Sequence, residues 1–249
     1  LAAAWGRTEV WVLAHDDDVV PAEVEVRFRS WIERRAAGEP AEHLTGRCSF
    51  WGREFRVSPD VLIPRPETEL LVDRALALPL PPGCRAVDIG TGSGCIALTL
   101  ALERPRWRVA AVDRQPRAVA VAKRNADRLG GSLGFVASDL GMALGPGWDL
   151  VVANLPYIPE TELVGLPLEV HRDPRTALDG GSDGLDLVRR LVADLGRLLR
   201  PSGRALLELY EGQAPVVADL ASSLGLEAVG TMRDAGGCER VIDLLRPGC

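Results

Sequence analysis

The chain has 249 residues, 47% hydrophobic and 26% charged, which is enough apolar material for one large domain and a small one. Its net charge of −6, with basic residues scattered apart from Arg34-Arg35 and Arg189-Arg190, argues against a protein that grips a long stretch of phosphate backbone. No apolar run approaches the ~18 residues of a membrane span, and five cysteines without a C-x-x-C pair read as reduced cytosolic thiols, with no metal site expected.

Residues 1 to about 40 read as helical. The chain opens on Leu1 inside a helical pattern, with no basic-then-apolar leader, which predicts that some N-terminal structure is missing. Pro21 begins a segment in which Val24, Phe28, Trp31 and Ile32 recur at helical spacing, ended by Gly38 and Pro40. Such a stripe packs on a partner helix or serves as a platform for a protein substrate. Residues 50–57 alternate around Gly52, the pattern of a β-hairpin. In the following Leu62-Ile63-Pro64-Arg65-Pro66-Glu67-Thr68-Glu69, Pro66 suits a first helical turn, with Glu67 and Glu69 beside the positive helix end. That helix runs through Leu76 and stops at the proline-rich segment ending in Gly83.

From Cys84 strands and helices alternate. Strands are predicted at 85–89, 108–112, 133–137, 148–153, 204–208, 226–232 and 240–245, and helices at 95–104, 116–129, 183–199 and 213–224. The alternation predicts an α/β fold with a mostly parallel, Rossmann-like sheet covered on both faces by right-handed crossovers. A short link through Gly236-Gly237 predicts an antiparallel hairpin at the sheet edge. The expected domains are a partial helical one at 1–42, a hairpin linker at 43–63 and the sheet domain at 64–249.

Ligands of doubly wound sheets bind at the carboxyl ends of strands. Gly90-Thr91-Gly92-Ser93-Gly94 falls at such an end, and Asp113 ends the next strand, where its carboxylate can accept from both hydroxyls of a ribose. Dinucleotide and S-adenosylmethionine sites share these features. The G-x-G-x-x-G of dinucleotide sites is missing, because Cys95 follows Gly94. Asp88, two residues before the first glycine, suits an amino acid's ammonium group better than a pyrophosphate. The methyl donor is therefore the favoured ligand, with the nicotinamide cofactor as the distant alternative. Asp139 and Leu140 end the third strand and are expected beside the adenine, although Asp139 also suits a loop or a helix cap.

Asn154-Leu155-Pro156-Tyr157 follows the apolar run 148–153. An amide nitrogen is a weak nucleophile and must be held in line with the sulfonium methyl. The Asn154 side-chain oxygen and the Leu155 carbonyl can each accept one N–H from it, Pro156 stiffens the turn, and Tyr157 can lie against the target group. The bland alternative is a polar turn after a strand.

These segments, with Gly38-Glu39-Pro40, His43-Leu44-Thr45-Gly46, Asp173-Pro174 and Asp183-Gly184-Leu185, resemble the glutamine methyltransferases of peptide chain release factors (the HemK/PrmC family) over nearly the whole chain. The Ile63-Pro64-Arg65-Pro66-Glu67-Thr68-Glu69 segment is the most specific to that family. The resemblance implies a helical N-terminal domain and a seven-stranded methyltransferase domain that modifies the glutamine of the Gly-Gly-Gln loop in class-one release factors. It assigns Gly90 to Gly94, Asp113, Leu140 and Asn154 to S-adenosylmethionine, and Asn154 to Tyr157 to the glutamine; Arg65 is added as a substrate contact. No membrane partner, no direct nucleic-acid substrate and a cytoplasmic location are expected. Leu155 departs from the family's usual Asn-Pro-Pro-Tyr, and Asn-Leu-Pro-Tyr also occurs in ribosomal RNA adenine dimethyltransferases. The alternatives are thus an adenine amine methyltransferase acting on RNA or DNA, and an inactive donor-binding module.

Overall fold

The apolar runs that begin at Cys84 pair into one sheet. A computed structural model describes residues 1–248. Its strands are β1 (Arg47–Phe50), β2 (Arg53–Arg56), β3 (Arg85–Ile89), β4 (Arg108–Asp113), β5 (Gly134–Ala137), β6 (Trp148–Asn154), β7 (Leu199–Glu208), β8 (Glu227–Arg233) and β9 (Glu239–Leu245). β1 and β2 form a separate hairpin; the other seven lie in the order β5-β4-β3-β6-β7-β9-β8. Pairing is parallel from β5 to β7 and antiparallel on both sides of β9. Strand order therefore reverses between β3 and β6, the place where such sheets bind ligands.

Period-two alternation sorts the side chains. Val87, Ile89, Val151 and Ala153 face one core with α8 (Asp186–Leu198) and α9 (Ala214–Ser223). Ala86, Leu150 and Val152 face the other with α5 (Glu69–Ala77) and α6 (Cys95–Glu103). In the sheet domain two predicted boundaries shift by more than one residue. α8 starts at Asp186 rather than 183 because Gly184 takes φ +79° and the Asp183 carboxylate accepts from Leu185 N at 3.2 Å. β7 starts at Leu199 rather than 204: Arg200-Pro-Ser-Gly203 interrupts the apolar pattern and falls at an irregularity in the pairing with β6, while Ser202 N donates to the Arg246 carbonyl at 2.8 Å.

The N-terminal region holds α1 (Ala2–Trp5), α2 (Glu9–Ala14), α3 (Ala22–Ala36) and α4 (Ala41–Thr45). The α3 stripe is only partly covered: Val24 is buried, whereas Ile32 is 53% exposed. In the β1–β2 turn Trp51 and Gly52 both take positive φ, 49° and 71°, as a two-residue hairpin loop requires. Glu69, expected as a helix-end charge, accepts from Trp51 N at 2.7 Å and holds this turn. Asn125 of α7 (Pro116–Leu129) ties the hairpin to the glycine loop, accepting from Arg56 N and donating to Arg56 O and Ser93 O at 2.8–2.9 Å. No helix among the described residues is long and apolar enough to cross a membrane.

Asp243 of β9 is 1% exposed and takes hydrogen bonds from Arg74 of α5 and Arg204 of β7. Removing the carboxylate leaves two guanidinium groups without their counter-charge at the sheet face. Asp243→Ala is expected to lower stability by about 3 kcal/mol, seen as a lower urea midpoint; an unchanged midpoint would show that both arginines swing into water without loss.

Candidate active site

Because β3 and β6 pair with Ile89 opposite Ala153, the next residues, Gly90 and Asn154, sit side by side at the carboxyl rim. Gly90 has φ +80°, and a Cβ there would stand 2.9 Å from Leu155 Cδ2 and 3.4 Å from the Asn154 carbonyl. Both the backbone angle and the close approach of the second loop require glycine. The two loops enclose a cavity of about 990 Å³, part of it open to solvent, lined by Gly90 to Ser93 on one side and Asn154 to Pro156 on the other. Gly94 is not in its wall. With φ +81° it lets α6 approach α7, where a Cβ would meet that of Ala122 at 2.9 Å.

Asp113 lies in the cavity wall, its carboxylate accepting from Gly92 N at 3.0 Å and Gln115 N at 2.8 Å. Burial raises its pKa, opposed by those backbone donors. Each oxygen keeps a further lone pair for a ligand hydroxyl. Asp139 and Leu140 also line the cavity. Asp139 Oδ2 is engaged by Arg190 at 2.6 Å, and Leu140 holds φ +48°, an unusual angle for a branched side chain. Arg65 forms part of the wall while its guanidinium pairs with the buried Asp173, which also takes Ile63 N at 3.4 Å.

Asp88 is placed differently from the sequence expectation. It is fully buried behind the glycine loop, where Oδ2 accepts from Thr91 Oγ1 at 2.7 Å and Ala97 N at 3.1 Å. It braces the loop and is not among the residues that line the cavity. Burial pushes its pKa up to about 7, against those two donors. A carboxyl whose folded pKa lies above its unfolded value stabilises the fold below the unfolded pKa and loses that contribution as pH rises to about 7. Asp88→Asn is therefore expected to be more stable than the parent at pH 8, by on the order of 1–3 kcal/mol, with the gain vanishing near pH 4. Thermal melts at the two pH values check this; an equal change at both would contradict it.

Around the second loop, Asn154 donates from Nδ2 to Thr68 Oγ1 at 3.0 Å. Its Oδ1 is left as the acceptor for a bound group. The Tyr157 hydroxyl donates to Glu208 Oε1 at 3.1 Å, and its ring stacks on Tyr210 with centroids 6.1 Å apart. Tyr157 is not among the residues that line the cavity. Glu208 ends β7 directly opposite Asn154 and is 1% exposed. Burial raises its pKa to about 7, opposed by the Thr68 and Tyr157 hydroxyls. Burial and the Glu208 carboxylate raise the pKa of Tyr157, so its phenol remains a donor. Gln213 Nε2 donates to the Tyr157 carbonyl at 3.1 Å and fixes the other end of the residue.

Sequence reasoning did not single out Thr68, Glu208, Asp173 or Asn125 for these roles. Glu208 did carry a signal: a carboxylate directly after the buried Ala205-Leu206-Leu207 at a strand end. The contacts of Thr68 with residue 154 and of Asn125 with residue 93 span 86 and 32 positions and appear only on folding.

The donor set fits S-adenosylmethionine. Asp113 offers two acceptor oxygens for a ribose, Leu140 an apolar wall for a flat base, and the glycine loop a backbone that a ligand can approach closely.

Residues 66–165 match the family described as the methyltransferase small domain, and residues 1–46 the PrmC N-terminal domain. The release factor glutamine methyltransferase of Geobacter sulfurreducens is 40% identical over 244 residues, covering 97% of this chain and 86% of its own. That of Pseudomonas aeruginosa is 42% identical over 248 residues, covering 97% and 88%. Among solved structures, a methyltransferase from Pyrococcus furiosus superposes with a TM-score of 0.62 at 18% identity, covering 88% of this chain and 99% of its own. Magnesium protoporphyrin IX methyltransferase from Synechocystis, with bound SAM, gives 0.51 at 16% identity over 72% of this chain and 77% of its own. These two likenesses concern the fold.

Proposed function

This chain belongs to the release factor glutamine methyltransferase family, and we propose that it methylates the side-chain amide nitrogen of the glutamine in the Gly-Gly-Gln loop of class-one release factors in the cytoplasm. Bound S-adenosylmethionine supplies the electrophilic methyl group. The chain supplies position. Asp113 holds the ribose hydroxyls, Leu140 and Asp139 border the base, and Gly90 to Ser93 bring backbone close to the donor. Asn154 Oδ1 and the Leu155 carbonyl accept the two N–H groups of the glutamine amide. That fixes the rotation of the amide and aims its nitrogen at the methyl carbon. The same two carbonyl dipoles favour the positive charge that grows on nitrogen as the bond forms, and the nitrogen then sheds one N–H proton to solvent to restore a neutral amide. Arg65 is assigned to the substrate side, with Asp173 setting its direction.

One observation carries the reading: Gly90 and Asn154 adjoin on one rim, and Asn154 is turned with its nitrogen inward, so its oxygen is free for an N–H. Leu155, where the family usually has proline, fills the space against Gly90 with its side chain while its carbonyl stays available. Incubation with radiolabelled methyl donor, offered in parallel to a class-one release factor and to RNA, tests the proposal. Label is expected on the protein; label on RNA alone would assign the clamp to an adenine amine.

A further inference from the structure

The direction of the Asn154 amide is set by two buried groups, Thr68 at the cavity wall and Glu208 behind it. Thr68 lies in the turn Pro66–Thr68 that leads into α5, is 2% exposed, and meets Asn154 Nδ2 at 3.0 Å. Glu208 stands opposite Asn154 in the β6–β7 pairing, and its carboxyl, beside the Thr68 hydroxyl, has a buried Oε2 that no hydrogen bond among the described residues satisfies. A hydroxyl next to a carboxylate points its single proton at that carboxylate, which leaves the hydroxyl oxygen as an acceptor on its other side. An acceptor facing Asn154 selects Nδ2 as the inward atom and turns Oδ1 to the cavity. The reversed amide would set two acceptors against each other in a buried site. Glu208 is itself held by the Tyr157 phenol at 3.1 Å, so the chain of donors runs from both ends of the 154–157 turn into one carboxyl group on β7.

We propose that Thr68 and Glu208 are positioning residues that lock the Asn154 amide with its oxygen toward the cavity, making the clamp one that receives N–H groups from its acceptor. This deepens the reading above and rests on it. The device gives the buried polar side chains of Thr68 and Glu208 a role at the rim. It also predicts a defined kinetic signature. An Asn154 amide free to turn spends part of its time presenting Nδ2, which repels the glutamine N–H groups. Release factor and donor would still bind through the rest of their surfaces.

The test compares the parent with Thr68→Val and Thr68→Ser, measuring methyl transfer to release factor and donor affinity by calorimetry. Thr68→Val keeps the shape and removes the acceptor. Its kcat is expected to fall about 10-fold, the worth of one buried hydrogen bond, with donor Kd and KM for release factor close to the parent's. Thr68→Ser restores the hydroxyl and should recover most of kcat. Should Thr68→Val lose donor binding, Thr68→Ala against Thr68→Ser makes the same comparison. A parental kcat in the variant lacking the hydroxyl, or a Ser variant as slow as the Val, overturns the lock while leaving the function intact. A parent protein that leaves release factor unmodified overturns the function, and the lock with it.

Discussion

Asn154→Ala is expected to lower turnover ~10²-fold or more, the loss seen when one preorganised hydrogen-bond partner is removed from a reacting centre. The side chain lies in the cavity wall, its nitrogen bound to Thr68 and its oxygen unspent. Alanine removes one of the two acceptors that fix the amide, so the carboxamide rotates about the bond that the Leu155 carbonyl alone cannot hold. The reacting atoms then spend less time in line, a loss that appears in kcat. Donor affinity should fall far less, because Asp113 and the glycine loop are untouched. Steady-state kinetics with release factor and calorimetry with the donor separate the two quantities. Normal turnover with intact donor binding would remove Asn154 from the mechanism.

Asp113→Ala is expected to weaken donor binding ~10²-fold. A carboxylate that accepts from two ribose hydroxyls contributes roughly 1.5–3 kcal/mol for each charge-assisted hydrogen bond, and about 2.7 kcal/mol corresponds to a hundredfold change in Kd. Asp113 also receives Gly92 N and Gln115 N, so alanine loosens the loop as well as the ribose contact. Asp113→Asn separates these effects. Its amide oxygen can keep one backbone donor but offers a single acceptor, and its affinity should fall between those of the parent and the alanine variant. Calorimetric titration decides. An alanine variant within about threefold of the parent Kd would place the ribose elsewhere.

Much of the fold was legible because its signals are local. The sheet strands alternate with amphipathic helices at the predicted positions, and Gly236-Gly237 marks the hairpin between β8 and β9. What escaped were features whose cause lies in distant chain. The first half of β7 lacks an apolar pattern at Arg200-Pro-Ser-Gly203, and pairing of Leu199 with Trp148 and of Ser202 and Gly203 with Arg246 extends it. Asp88 looked like a ligand group from its place at a strand end. The helix that follows covers it, and its Oδ2 accepts from both Thr91 and Ala97. Tyr157 was expected to lie against the target group; what the sequence did not reveal is that its hydroxyl donates to Glu208 and its ring stacks on Tyr210. Sequence spacing places a residue at a rim; packing decides which way it turns. The two loops themselves were readable because adjacent parallel strands bring Gly90 and Asn154 to the same end.

The central claim is that this cavity holds a glutamine amide in line with a sulfonium methyl group. Peptide mass spectrometry of a class-one release factor, incubated with this protein and S-adenosylmethionine, tests it most directly. The account predicts a gain of one methylene, localised by fragmentation to the side chain of the glutamine in Gly-Gly-Gln and lost with Asn154→Ala. A release factor peptide of unchanged mass, from protein shown by calorimetry to bind the donor, would contradict it.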